Sequence, residues 1–254
     1  MHPDKEPIDM FATHEPGYFR VGTAASGREA TCATCCVRHL CLPCAGEAHS
    51  GARTVSRRIQ VTRDRTLYST DQAVEQSVYA VRYGSFKHCR QDRTGASKIT
   101  GFSMSGDFLA LDSIGLARHE CTAVALEDSE VCEISYAAMR EQALFFQRVI
   151  SKSIFDMQAI SLQLRRTTAE QRLAGFLLNM ATRYGARGYS CTRYRLPMSR
   201  QDIAGYLNLT PESVSRLLRQ FRQGHLISTD HREMVLLDPA ALKALSVGAT
   251  RHVA

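Results

Sequence analysis

The stretch that most constrains this chain runs from Thr210 to Gly224: Thr-Pro-Glu-Ser-Val-Ser-Arg-Leu-Leu-Arg-Gln-Phe-Arg-Gln-Gly. Thr210 is a good N-cap, Pro211 suits the first helical position, and Glu212 is favoured by the positive end of a helix. Gly224 marks the stop. Val214, Leu217, Leu218 and Phe221 recur at i, i+3, i+4 and i+7 as a single apolar stripe. Glu212, Ser215, Arg216 and Arg219 recur at the same spacing on the opposite side. Such a helix buries one face and offers the other a set of hydrogen-bonding groups suited to base edges. It reads as a DNA recognition helix; the plainer alternative is an amphipathic surface helix whose charges are only solvated.

The flanking residues favour the first reading. Ser199 and Asp202 form a capping box ahead of Ile203, Ala204, Tyr206 and Leu207. Asn208-Leu209-Thr210 then makes a three-residue turn in which Asn208 can take the left-handed backbone of a tight helix–turn–helix. After the helix, Ile227 and Met234 to Leu237 bracket the polar turn Ser228 to Glu233, as in a β-hairpin wing. Net charge is +7, which suits a polyanion such as double-stranded DNA. The excess is also local: five arginines (195, 200, 216, 219 and 222) stand against Asp202 and Glu212 between residues 195 and 222. Arginines that neutralise phosphates give salt-sensitive, sequence-independent affinity.

No apolar run approaches the ~20 residues of a membrane span, and the N-terminus lacks the apolar region of a secretory signal. A cytoplasmic protein with no membrane partner is expected. In a reducing compartment nine cysteines point to metal or redox chemistry rather than disulfides. Five of them fall within thirteen residues, Cys32 to Cys44. Thiolates held this closely repel one another unless a cation takes up the charge, and soft sulfur selects zinc, copper(I) or iron–sulfur clusters. Spacing alone does not choose among these, and a metal-free redox switch is the remaining alternative.

Between about residues 54 and 136 short alternating runs appear, at Val78–Tyr83, Ile99–Phe102, Cys121–Leu126 and Glu130–Ile134. Turn signals punctuate them at Gly84-Ser85, Asp92–Gly95, Ser105–Asp107 and Asp128-Ser129, the pattern of an antiparallel β-roll. From about Tyr136 to Arg166 the pattern is helical, with Ile150, Ile154, Met157, Ser161 and Leu164 at heptad a/d spacing. A buried core helix could look the same. Between a β-roll and a DNA-binding domain, a two-fold seam is the more economical reading, since helix–turn–helix proteins usually read paired half-sites as dimers. Ala169 to Tyr184 opens the last domain. The expected α+β chain therefore has a tail at 1–30, a cysteine-rich loop at 31–50, a β-roll at 51–136, a dimerisation helix at 137–166 and a winged helix–turn–helix domain at 167–254, with the helix–turn–helix itself at about 200–219.

This order of elements, together with Cys32-x2-Cys35-x5-Cys41-Leu-Pro, Val131-Cys132-Glu133-Ile134 and Glu212-Ser-Val-Ser215-Arg216-Leu-Leu, resembles the Crp/Fnr family of bacterial transcription regulators. The match is to the Fnr branch of oxygen-sensing regulators and covers roughly residues 32 to 254. The resemblance implies a [4Fe–4S] cluster on Cys32, Cys35, Cys41 and Cys132, whose conversion to [2Fe–2S] by oxygen loosens the homodimer. It implies base reading by Glu212, Ser215 and Arg216, beside Arg219 and Arg200, at a two-fold TTGAT-N4-ATCAA-like site. Activation, at some promoters repression, of anaerobic metabolism genes with RNA polymerase as partner follows from the same resemblance.

The chain departs from the family in carrying Cys36 and Cys44, of which Cys36 could replace Cys35 as ligand. His39 in the same loop could be a ligand, though a polar side chain facing solvent is the simpler reading, and Cys89, Cys121 and Cys191 read as small packed side chains. The stretch from Cys132 to Ala169 is also about two helical turns shorter than is usual in the family. Three other functions are compatible with parts of this pattern. A cyclic-nucleotide receptor needs a glutamate and an Arg-Ser/Thr-Ala run, because a buried phosphate demands a fixed cation. Here the run is Cys121-Thr122-Ala123 with Arg118 three residues early, so a cyclic nucleotide is not the expected effector. An iron–sulfur redox enzyme would need a partner cofactor site, and no GxGxxG, P-loop or nucleophile elbow is present, so no enzyme is expected. A regulator with a structural zinc is the third.

Overall fold

The computed structural model describes residues 35, 37, 40–41, 55–92, 94–141, 143–164 and 168–248. Cys32, Cys36, His39, Cys44 and the 1–30 tail lie outside the described residues, as does the side chain of Leu164.

The alternating stretch becomes eight strands: β1 (Arg57–Val61), β2 (Thr66–Tyr68), β3 (Ser77–Tyr83), β4 (Ser85–Gln91), β5 (Ser97–Met104), β6 (Phe108–Leu109), β7 (Thr122–Ala125) and β8 (Ser129–Ser135). They pair antiparallel in two four-stranded sheets, ordered β1-β8-β3-β6 and β2-β7-β4-β5. Side chains alternate between faces along a strand, and β3 uses both faces. Tyr79 and Val81 join Tyr68, Phe86, Ala123, Ala125 and Val131 in the core of the roll. Val78 and Ala80, one residue out of phase, join Ile134, Cys41 and Met139 in a second apolar cluster. The first sheet is therefore apolar on both sides, and its second side is where a cysteine of the N-terminal segment packs.

Two helices follow, α1 (Tyr136–Glu141) and α2 (Ala143–Leu164), where the sequence pattern reads as one helical stretch. On α2, Val149 is buried and Ile150 half-buried, whereas Leu144, Ile154, Phe155 and Met157 are exposed in the single protomer. Next come α3 (Ala169–Gly185), β9 (Arg193–Arg195), α4 (Arg200–Leu207), α5 (Pro211–Gln223), β10 (Ile227–Asp230), β11 (Glu233–Leu236) and α6 (Pro239–Ser246). The last three strands form one sheet, β10-β11-β9, so that β10 and β11 make the wing. Among the described residues, no helix is long and apolar enough to cross a membrane.

The core of this C-terminal part gathers Leu173, Phe176, Leu177 and Met180 of α3 with Ile203 and Leu207 of α4 and the apolar stripe of α5. It also takes in Phe102 and Met104 of β5, which ties it to the roll. Phe102 lies 5.2 Å from Tyr206 and 6.2 Å from Phe176, measured between ring centroids. Each buried ring contributes roughly 1.5–3 kcal/mol. Lys87 of β4 adds an ion pair to Asp202 of α4 at 2.7 Å.

Candidate DNA-reading face and cysteine cavity

The helix–turn–helix is set by local caps. Ser199 Oγ accepts from the Asp202 N–H at 3.1 Å while the Asp202 carboxylate accepts from the Ser199 N–H at 2.9 Å. Asn208 ends α4 in the left-handed region, φ 53°, and the Thr210 hydroxyl accepts from the Ser213 N–H at 3.2 Å to start α5. Val214, Leu217, Leu218 and Phe221 are buried. On the other side of α5, Glu212, Arg216 and Arg219 are exposed and Ser215 is half-buried, while Arg200 is exposed at the first residue of α4. Among the described residues, no side-chain hydrogen bond or ion pair engages Arg200, Arg216 or Arg219, and all three residues are exposed. The Glu212 carboxyl is held below its usual range, first by its own backbone N–H at the helix start and then by the Thr210 hydroxyl, which keeps it an ionised acceptor.

Two residues absent from the sequence reading steady this surface. Arg172 of α3 donates to the carbonyls of Leu207 and Asn208 at 2.8 and 3.3 Å, gripping the turn. Glu170 accepts from Gln220 of α5 at 2.8 Å. Charged residues in the first turn of an amphipathic helix are too common to single these out by pattern. One of the five local arginines has another partner: Arg195 lies 3.7 Å from Glu127 of the roll, so it serves the contact between the two parts of the chain.

The second site is assembled from distant segments. Cys35, Cys41 and Cys132 line one small cavity of about 20 Å³ together with Arg58, Arg82 and Ile134. Strand register creates part of it: Cys132 on β8 pairs with Arg58 on β1 and with Ala80 on β3. A tight turn delivers Cys41, since the N–H groups of Leu40 and Cys41 both donate to the Val37 carbonyl, at 2.9 and 2.8 Å. Burial pushes the Cys132 thiol up, the Arg58 and Arg82 guanidinium groups oppose that rise, and Cys35 adds to it.

The donor set fits a thiolate-ligated centre. Soft donors converge from two segments, beside Arg58 and beside Arg82, the latter already paired with Glu130. Among the described residues the thiols are not yet gathered at metal-binding distances. The cavity has room for about one water, so anything larger requires its walls to move apart.

The roll has a third cysteine environment. Cys121, just before β7, donates to the Asp112 carboxylate at 3.2 Å and lies 3.9 Å from the Tyr68 hydroxyl. His119 stacks on Tyr68 at 4.2 Å and pairs with Ser113 at 2.8 Å, while Arg118 turns away to the carbonyl of Asp71. The neighbours of this thiol are thus a carboxylate and a phenol, with Arg90 acting on it more weakly. Burial and Asp112 push the Cys121 thiol up to about 12.

Comparison with known proteins agrees with this architecture. Residues 58–144 match the model of a cyclic nucleotide-binding domain, and residues 171–245 match a Crp-like helix-turn-helix domain. The chain is 40% identical over 226 residues to the transcriptional regulatory protein Btr of Bordetella pertussis, covering 85% of this chain and 93% of that one. It is 33% identical over 236 residues to the fumarate and nitrate reduction regulatory protein of Escherichia coli, covering 88% and 92%. The solved structure of FixK2 from Bradyrhizobium japonicum superposes with a TM-score of 0.62 at 29% identity, over 74% of this chain and 96% of that one. With regulators rather than enzymes as its relatives over most of its length, and with a roll and a helix–turn–helix in the same order, the chain belongs to the Crp/Fnr family of DNA-binding transcription regulators.

Proposed function

We propose that this regulator is an oxygen-responsive cytoplasmic homodimer that controls genes of anaerobic metabolism, mostly as an activator working with RNA polymerase. The observation that carries the reading is the convergence of Cys35, Cys41 and Cys132 on one cavity beside Arg58 and Arg82. With Cys32 they make the four thiolates that would hold a [4Fe–4S] cluster, which supplies an oxygen-labile centre when bound. Relatives named for fumarate and nitrate reduction support the metabolic side, since both compounds are electron acceptors used in place of oxygen.

The chain's own residues supply the response. Cys41 packs in one apolar cluster with Ile134 and with Met139 of α1, which leads directly into α2. A change in how the cysteine turn is held therefore acts on the start of the helix carrying Ile150, Ile154, Met157 and Leu164, the proposed dimer seam. A dimer engages two half-sites at once, so loosening the seam lowers DNA occupancy without altering any base contact. At each half-site we assign Arg216 to a guanine, Glu212 to a cytosine amine and Ser215 to the neighbouring thymine, with Arg219 and Arg200 on phosphates.

Protein purified without air should be brown and carry about four iron and four sulfide per chain; stoichiometric zinc without sulfide would sink the cluster reading. Arg216→Ala should relax discrimination at one base pair by ~1–3 kcal/mol, whereas a uniform loss across all sequences would reassign Arg216 to a phosphate.

A further inference from the structure

The turn bearing Leu40 and Cys41 meets the rest of the molecule on two sides. One is the apolar cluster with Met139, toward α1 and α2. The other is the tight turn between β5 and β6. Gly106 there has φ 87°, and a Cβ built on it would stand 2.8 Å from the Cβ of Leu40. Leu40 thus rests on bare backbone at a position where a larger residue would be both strained and obstructed. The Gly106 N–H donates to the Val81 carbonyl at 2.7 Å, and the Val81 N–H donates to the Asp107 carbonyl at 2.9 Å. This clamps the turn to β3, whose Val81 and Arg82 line the cysteine cavity.

The next residue faces the DNA-binding part. The half-buried Asp107 carboxylate accepts from the Met104 N–H at 2.9 Å, from Arg183 at 2.5 Å and from Arg187 at 2.7 Å. The same two arginines donate to the carbonyls of Phe102 and Ser105, at 2.9 and 2.6 Å. Arg183 lies in the last turn of α3 and Arg187 just beyond its end. The first turn of α3 holds the helix–turn–helix through Arg172 and Glu170. Two adjacent residues therefore touch different machinery, Gly106 the cysteine turn and Asp107 the helix that carries the DNA reader.

We infer that the Gly106–Asp107 turn couples the position of the cysteine turn to the seating of α3 within one protomer, by a route that does not pass through α2. Movement of Leu40 off Gly106 removes the packing over the turn, and any shift of the turn disturbs the two charge-assisted bonds by which Asp107 holds Arg183 and Arg187. Conversely, unseating α3 removes the anchor that holds Gly106 under Leu40. The inference deepens the oxygen-sensing reading, on which its biological meaning rests, but the contact itself needs no cluster.

Coupling between two sites is reciprocal, and that gives the test. Full-length protein, reduced and stripped of metal, is examined by hydrogen exchange with peptide-level mass spectrometry. Asp107→Asn should speed exchange at Leu40 and Cys41 about fivefold or more, and Leu40→Ala should speed exchange across residues 182–188 by a similar factor. Arg193→Ala, which breaks only the exposed wing ion pair with Glu233, should change neither. Should Asp107→Asn fail to fold, Arg183→Lys, which keeps the charge but loses the planar fork, is held to the same expectation. The inference is overturned if Asp107→Asn, or its substitute, loosens residues 182–188 while Leu40 and Cys41 exchange as before, or if Leu40→Ala leaves residues 182–188 unchanged. Both readings are made without iron, so a failure of the cluster assignment leaves this test standing.

Discussion

Cys132 and Cys121 belong to the same roll, one on β8 and the other at the start of β7, and burial raises the pKa of both. Their neighbours differ in sign. Around Cys121, burial and the Asp112 carboxylate push the thiol up to about 12 against smaller opposing contributions from the Tyr68 hydroxyl and Arg90. Around Cys132 stand Arg58 and Arg82, which pull against the rise. The thiolate is the metal ligand and the nucleophile, so one site is built to keep its proton and the other to give it up once a cation arrives. Residue type does not separate these two cysteines, and burial does so only in part, Cys121 being buried and Cys132 half-buried; the charge brought by neighbouring strands separates them further.

The largest expected contrast follows from removing each sulfur in turn. Cys132→Ser should abolish iron and sulfide retention in protein prepared without air, and with it tight binding to a two-half-site duplex followed by fluorescence anisotropy. Cys121→Ser should leave both in place, because no ligand role falls on a thiol bonded to a carboxylate. Equal losses in the two variants would break the contrast and return Cys121 to the candidate ligands.

How much of this could be read beforehand depends on how local the determinants are. The recognition helix is almost wholly local: Thr210, Pro211, the i, i+3, i+4, i+7 stripe and the left-handed Asn208 all act within two turns of chain. The roll is legible in outline, since β3, β5, β7 and β8 coincide with alternating runs. Strand β4 is not, because Lys87, His88 and Arg90 interrupt the apolar pattern. Lys87 is satisfied by Asp202 from the other part of the chain and His88 by Ser103 on β5 at 2.8 Å, partners no local pattern shows. The cysteine cavity divides the same way. Crowded thiols in one loop announce a soft-metal site, but Arg58 reaches Cys132 only through the β1–β8 register, and Arg82 comes from a third strand.

A smaller effect should come from the cations. Arg58 is exposed on β1 and faces Cys132 through strand pairing, whereas Arg82 is also tied to Glu130. Arg58→Met is therefore the cleaner change, since Arg82→Met would leave Glu130 without its partner. Loss of an outer partner of this kind typically costs about 10–100-fold in metal affinity. A drop near the lower end is expected from chelator-competition measurements, because Arg58 is open to solvent and screened. Arg58→Lys should restore most of it. If Arg58→Met retains iron as well as the parent, charge around Cys132 is not what separates it from Cys121.

The smallest effect is a pH dependence, and its sign is fixed by the native thiol being harder to ionise than the unfolded one. An unfolded cysteine titrates near 8.5, whereas native Cys121 is pushed up to about 12 by burial and Asp112. Below the unfolded value both states hold the proton, and the contribution of Cys121 to stability is complete. As pH rises past it the unfolded chain releases a proton that the native chain keeps, so stability falls with increasing pH until native Cys121 also ionises. Between about pH 8.5 and 10, before unfolded tyrosines titrate, the urea midpoint of the parent should decline more steeply than that of Cys121→Ala. The corresponding difference for Cys132→Ser should be smaller, because Arg58 and Arg82 limit how far that thiol is raised. Parallel curves for parent and Cys121→Ala would mean that neither burial nor Asp112 raises the native thiol, and the distinction between the two cysteines would then rest on the arginines alone.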